Sequence, residues 1–150
     1  FKPADFTSKA DFMIMVKRFT GIEGQPETNI YSDIKPSDYY ADAVGTVSKY
    51  GLVKGTSGTE FKPKDNITRQ EVISVLAGIL ERLGKLEKSN LSILDSFIDE
   101  DFVSPYAREY MADFIGMGIV SGDDRKKLNP VEPITRAEVC VLIKKVYDLL

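Results

Sequence analysis

Three cationic residues each follow a hydroxyl residue and precede an acid two positions on: Ser8-Lys9-Ala10-Asp11, Thr68-Arg69-Gln70-Glu71 and Thr135-Arg136-Ala137-Glu138. Each set lies seven residues after the start of a short block, Phe1-Lys2-Pro3, Phe61-Lys62-Pro63 and Leu128-Asn129-Pro130, and the blocks recur at intervals of 60 and 67 residues without an internal gap. The hydroxyl and the acid have a structural reading. Ser or Thr followed three residues later by Asp or Glu is a capping box, in which the hydroxyl accepts from a first-turn N–H and the acid reaches back to the cap's own N–H. The cation has no part in capping, and at the first helical position it opposes the helix dipole by about 0.3 to 1 kcal/mol. A disfavoured charge repeated as Lys9, Arg69 and Arg136 therefore points to a task outside the helix. Anion binding is one candidate, with first-turn N–H donors beside a guanidinium fork suited to a carboxylate or phosphate. A solvated cation paired with a neighbouring acid is the other, and the pattern alone leaves both open.

Other chemistries are closed by composition. The 150 residues contain no His and one Cys, which excludes a Ser-His-Asp triad, a Cys-His pair, a His-ligated metal and a disulfide within the chain. Cys140 aligns with Met13 and Ile73 and reads as a small buried hydrophobe. The acids Asp99-Glu100-Asp101 and Asp123-Asp124 lack the alternating ligands and glycine of a calcium loop, so no cofactor or metal is expected. A glycoside-cleaving enzyme would need a carboxylate pair unique to one place, whereas the acids singled out here recur in every copy as caps, so the reading is non-enzymatic. A net charge of −3 argues against nucleic acid. Apolar runs such as Val139-Cys140-Val141-Leu142-Ile143 are too short to insert across a membrane.

Helices must position these residues. The stripes Phe12, Met15, Val16, Phe19; Val72, Val75, Leu76, Ile79, Leu83; and Val139, Leu142, Ile143, Val146, Leu150 each mark one buried face after a hydroxyl block. Earlier helices are predicted from Ala43, Val44, Val47, Tyr50 and from Tyr110, Met111, Phe114, Met117, each closed by a glycine-punctuated loop, Gly51-Leu52-Val53-Lys54-Gly55 or Gly118-Ile119-Val120-Ser121-Gly122. An aspartate lies ahead of each, Asp33 and Asp99. The organisation predicted is all-α and pseudo-threefold, three repeats of a helix pair joined by a glycine-containing loop: a partial first repeat and linker over 1–29, a second with its linker over 30–95, and a third over 96–150. A short helical turn is expected around Asn90 to Leu94. The first copy opens in mid-repeat, so an upstream segment or self-association is expected to cover Phe12, Met15, Val16 and Phe19. A tetratricopeptide scaffold, with a period near 34 residues, fits neither interval.

The ordered set of aromatic-x-Asp, a Tyr-containing first helix, Gly-Ile-Val-x-Gly, Phe-x-Pro and Thr-Arg-Ala-Glu resembles the S-layer homology (SLH) family over essentially the whole chain. The resemblance implies non-covalent anchoring of a secreted bacterial protein at the cell wall or S-layer. It also implies an acidic, often pyruvylated, wall polysaccharide as partner, held in grooves between repeats. Carried over by position, it assigns ligand binding to Lys9, Arg69 and Arg136, to Asp33 and Asp99, to Tyr39 and Tyr106, and to Gly55 and Gly122. Gln70 stands where the pattern has alanine, and Leu128 where it has an aromatic. A helical protein-protein scaffold at the cell surface is the alternative.

Overall fold

A computed structural model describes residues 2–24, 26, 31–53 and 59–150, so Phe1, Lys54, Gly55 and the expected repeat boundary at 29–30 lie outside the described residues. The regular elements are helices: α1 (Lys9–Thr20), α2 (Ala41–Lys49), α3 (Arg69–Arg82), α4 (Arg108–Gly116) and α5 (Arg136–Tyr147), with 3-10 turns at Leu91–Ser96, Glu100–Phe102 and Pro105–Ala107. This is an all-α repeat chain. It divides into two compact units, Thr7–Ile67, and Thr68–Leu150 together with Phe1–Phe6.

All three hydroxyl residues cap helices as their spacing predicts. Ser8, Thr68 and Thr135 are in extended backbone and accept from the N–H of Asp11, Glu71 and Glu138. Reciprocal capping boxes are complete at Thr68/Glu71 and Thr135/Glu138. The expected turn after Asn90 is the 3-10 turn beginning at Leu91, capped by the Asn90 side chain.

In the Thr7–Ile67 unit, α1 packs on α2. Phe12, Met13 and Val16 of α1 are buried, as are Ala43, Val44 and Val47 of α2. The packed pair thus joins the second helix of one copy to the first helix of the next. With α2 packed on α1, Phe12 and Val16 of the expected stripe are buried, while Met15 and Phe19 stay partly exposed. In the other unit α3 packs on α4 in the same way, and also on α5. Being flanked by both, α3 buries Val72, Ile73, Val75, Leu76, Ile79 and Leu80, while α5 buries the single stripe Val139, Leu142 and Val146.

Four side-chain expectations are overturned. Cys140 lies off the α5 stripe and is exposed, although its counterparts Met13 and Ile73 are buried. Tyr50, Leu83 and Leu150 are exposed because each lies beyond the last residue of its helix.

Candidate functional site

The first turns of the helices are where the predicted site residues meet. The N–H groups there are already engaged. On α1, the Lys9 N–H donates to the Asp65 carbonyl at 2.9 Å and the Ala10 N–H to the Pro63 carbonyl at 3.0 Å. On α3, Arg69 and Gln70 donate to the carbonyls of Glu132 and Pro130, and on α5, Arg136 and Ala137 donate to those of Asp5 and Pro3. The Phe-x-Pro segment of one copy therefore caps the helix of another. With the hydroxyl taking the third N–H, the expected cradle of unpaired backbone donors is absent at all three helices.

The two aspartates build those capping segments. Asp33 accepts from the N–H of Phe61 at 2.9 Å and of Lys62 at 2.7 Å; Asp99 accepts from those of Leu128 and Asn129, both at 2.8 Å. Lys62 and Asn129 have φ of 59° and 52°, the left-handed region that few non-glycine residues adopt. Two charge-assisted bonds to a carboxylate hold the chain there and aim the following carbonyls at the neighbouring helix. Gly122, in the segment leading to Leu128, packs so closely on the Phe97 ring that a Cβ would come within 2.6 Å of it. Gly55 lies outside the described residues.

The aromatic residues flank the same turns. The Tyr39 hydroxyl donates to the Asp11 carboxylate at 3.1 Å, placing the ring beside the first turn of α1. The turn carrying Tyr106 packs on α3. Although Tyr106 is 57% exposed, burial around the phenol together with the Glu71 charge pushes its pKa up to about 12. Lys9, Asp33 and Tyr39 thus gather about α1, and Arg69, Asp99 and Tyr106 about α3, while Gly122 packs on Phe97. Arg136 stands at α5 beside the segment of Pro3 and Asp5.

The cation of the α3 set is partly buried, as are Lys9 and Arg136. The Arg69 side chain is 20% exposed, rather than free in solvent as a first-turn surface residue would be. Its nearest acid is Glu138, at 3.7 Å from Nη1, beyond hydrogen-bond reach. Its Nε is buried and has no partner among the described residues. Burial pushes the Arg69 pKa down and Glu138 pushes it back. For Glu138, burial acts upward, but the Thr135 N–H and hydroxyl and the Arg69 charge outweigh it and hold the carboxyl below its ordinary range. A partly desolvated guanidinium without a hydrogen-bonded acceptor favours an anion.

Comparison with known proteins decides the family: the S-layer homology domain profile matches residues 30–73 and 99–140. The chain belongs to the S-layer homology domain family. Both SLH matches contain an aspartate clamp, Asp33 or Asp99, and a helix-flanking tyrosine, Tyr39 or Tyr106. Among SLH-bearing relatives it is 30% identical to an amylopullulanase of Thermoanaerobacterium thermosulfurigenes, the alignment covering 100% of this chain and 8% of that protein. It is 27% identical to a surface-layer 125 kDa protein of Lysinibacillus sphaericus, over 99% of this chain and 12% of the relative. A cellulosome-anchoring protein of Acetivibrio thermocellus is 26% identical over 97% of this chain and 33% of its own length. The chain thus spans a minor part of each.

Sequence reasoning missed Glu138 as the acid beside Arg69, and missed the contact between Gln70 and Ser104. The Gln70 amide donates to the Ser104 hydroxyl at 3.0 Å and accepts from the Ser104 N–H at 2.9 Å. The signal was present: Gln70 occupies the place of Ala10 and Ala137 in the other copies.

Proposed function

We propose that this SLH chain anchors its parent protein non-covalently at the bacterial cell surface by binding an acidic cell-wall polysaccharide. The observation that carries the reading is the Arg69 guanidinium, partly buried, its Nε without a partner among the described residues, at the start of the helix on which the turn of the exposed Tyr106 packs. A carboxylate such as a pyruvate ketal on a hexose supplies the missing acceptors, and the sugar face packs on the tyrosine ring. Lys9 and Tyr39 offer a second, related set at α1, and Arg136 a third cation at α5. Several sites on one polymer multiply retention through effective concentration. With a net charge of −3 the chain has no bulk attraction to an acidic polymer, so recognition falls to these local cations. Relatives described as surface-layer and cellulosome-anchoring proteins support placement outside the cell, and the match to 8% of an amylopullulanase fits an attachment region carried by diverse partners rather than a catalytic one.

The test is sedimentation with isolated wall polymer, stripped of protein, before and after mild acid removal of its ketal groups. Arg69→Ala is expected to weaken binding by about 1.5 to 3 kcal/mol per occupied site while the chain stays folded. Binding that survives both the substitution and ketal removal refutes the reading, and binding lost on stripping wall proteins favours a protein partner instead.

A further inference from the structure

The two tyrosines are tethered differently. At α1 the Tyr39 hydroxyl is itself the tether, donating to Asp11 at 3.1 Å. At α3 the tether is two residues upstream of the ring: the amide of Gln70, 6% exposed, engages Ser104 through both its nitrogen and its oxygen. The Tyr106 hydroxyl makes no hydrogen bond among the described residues. Ser104 precedes the Pro105–Ala107 turn, whose backbone is further stiffened by the fixed φ of Pro105 and by the Ala107 N–H donating to the Ser104 carbonyl at 2.9 Å. A bond at Ser104 therefore fixes the whole turn. The phenol, with its pKa pushed up to about 12, stays protonated at neutral pH and is a donor.

We propose that Gln70 is a positioning residue: by holding Ser104 with both amide atoms it fixes the Tyr106 turn against α3, the helix that begins at Arg69, and leaves the tyrosine hydroxyl free to donate to a ligand oxygen, making the α3 site tighter than the α1 site. This rests on the carbohydrate reading above. The ligand class follows from the donors present, an anionic sugar offering a carboxylate to Arg69 and a ring or hydroxyl oxygen to Tyr106. At α1 the same ligand must compete with Asp11 for the Tyr39 hydroxyl and meets Lys9, which cannot form a two-pronged contact. The residue at the Gln70 position thus separates two otherwise matched sites. Neither Ala10 nor Ala137 has an amide to play the part.

The test uses the whole chain and a methyl hexoside bearing a 4,6-linked pyruvate ketal, with amide shifts near Glu71 and near Asp11 reporting the two sites separately. Gln70→Ala is expected to weaken the α3 site about tenfold, the effect of one lost net hydrogen bond to a charged or well-placed group, and to leave the α1 site unchanged. Tyr106→Phe should weaken α3 to a similar degree, and the double variant should be no worse than either single one, because both remove the same contact. Ser104→Thr, which keeps the hydroxyl and the N–H, should bind as the parent does. Unchanged α3 affinity in Gln70→Ala, or additive losses in the double variant, overturns the proposal. Loss of binding in Arg69→Ala with no effect of Gln70→Ala overturns it while leaving the carbohydrate reading intact; full binding in Arg69→Ala overturns both.

Discussion

The helix pair α1/α2 and the helix pair α3/α4 are built to one plan and completed with different chemistry. In each, an aspartate holds a left-handed residue and the segment after it caps the longer helix. Away from that frame they diverge. Asp113 of α4 is buried and accepts from the Ser89 N–H at 2.8 Å and from Lys88 at 3.3 Å, while Lys88 also meets Glu81, which accepts from the Tyr110 hydroxyl at 2.8 Å. The matching position in α2 is Thr46, whose buried hydroxyl has no partner among the described residues. In α1/α2 the ionic link between the helices is the exposed pair Lys17 and Asp42. The difference teaches that backbone capping defines the repeat, whereas side-chain networks are free to differ and so to set each site's properties.

Breaking the shared frame should have the largest effect. Asp99→Ala strands two backbone donors, the Leu128 one buried, and releases Asn129 from its left-handed conformation; urea unfolding should show a loss of about 3 kcal/mol. Asp33→Ala should cost less, about 2 kcal/mol, because Asp33 is more exposed than the buried Asp99. Equal or reversed losses would break the comparison.

The next largest effect tests the divergence. Asp113→Ala leaves the Ser89 N–H and the Lys88 ammonium without their shared acceptor and should destabilise by about 2 kcal/mol in the same assay. Its counterpart Thr46→Val should go the other way, raising stability by about 0.5 to 1 kcal/mol, since it removes a buried hydroxyl that bonds to nothing described. A destabilised Thr46→Val protein would mean that the two positions are not opposites.

A pH titration probes the last feature, the capping acid of α5. Because the folded-state pKa of Glu138 is depressed, its contribution is fully present above the ordinary carboxylate range and is lost as pH falls through the lowered folded value. Glu138→Gln should remove that part of the acid sensitivity and cost about 1 kcal/mol near neutrality, read as a lower Tm.

The helix starts were legible because a capping box is a local device, readable from Thr68-Arg69-Gln70-Glu71 without knowing what surrounds it. The aspartates could be located by repetition, but their action could not, since Asp33 and Lys62 are 29 residues apart and only the fold brings them together. The same limit explains the first-turn N–H groups, open by sequence and closed in fact by carbonyls from another copy. Burial of Arg69 and exposure of Cys140 were illegible for a related reason. Periodicity gives the face of a helix, not how many neighbours that helix has, and α3 has more than α5.

The hydrogen bonds from Arg136 and Ala137 back to Asp5 and Pro3 join positions more than 130 residues apart. Such a contact closes a long loop and so carries an entropic cost that contacts between sequence neighbours do not. An open array of repeats can nucleate anywhere and unzip from either end. Here α5 lacks its full backbone cap until Pro3 and Asp5 reach it, so the order of its first turn depends on a segment distant in sequence. Nicking the chain after Phe6 should therefore loosen α5 first.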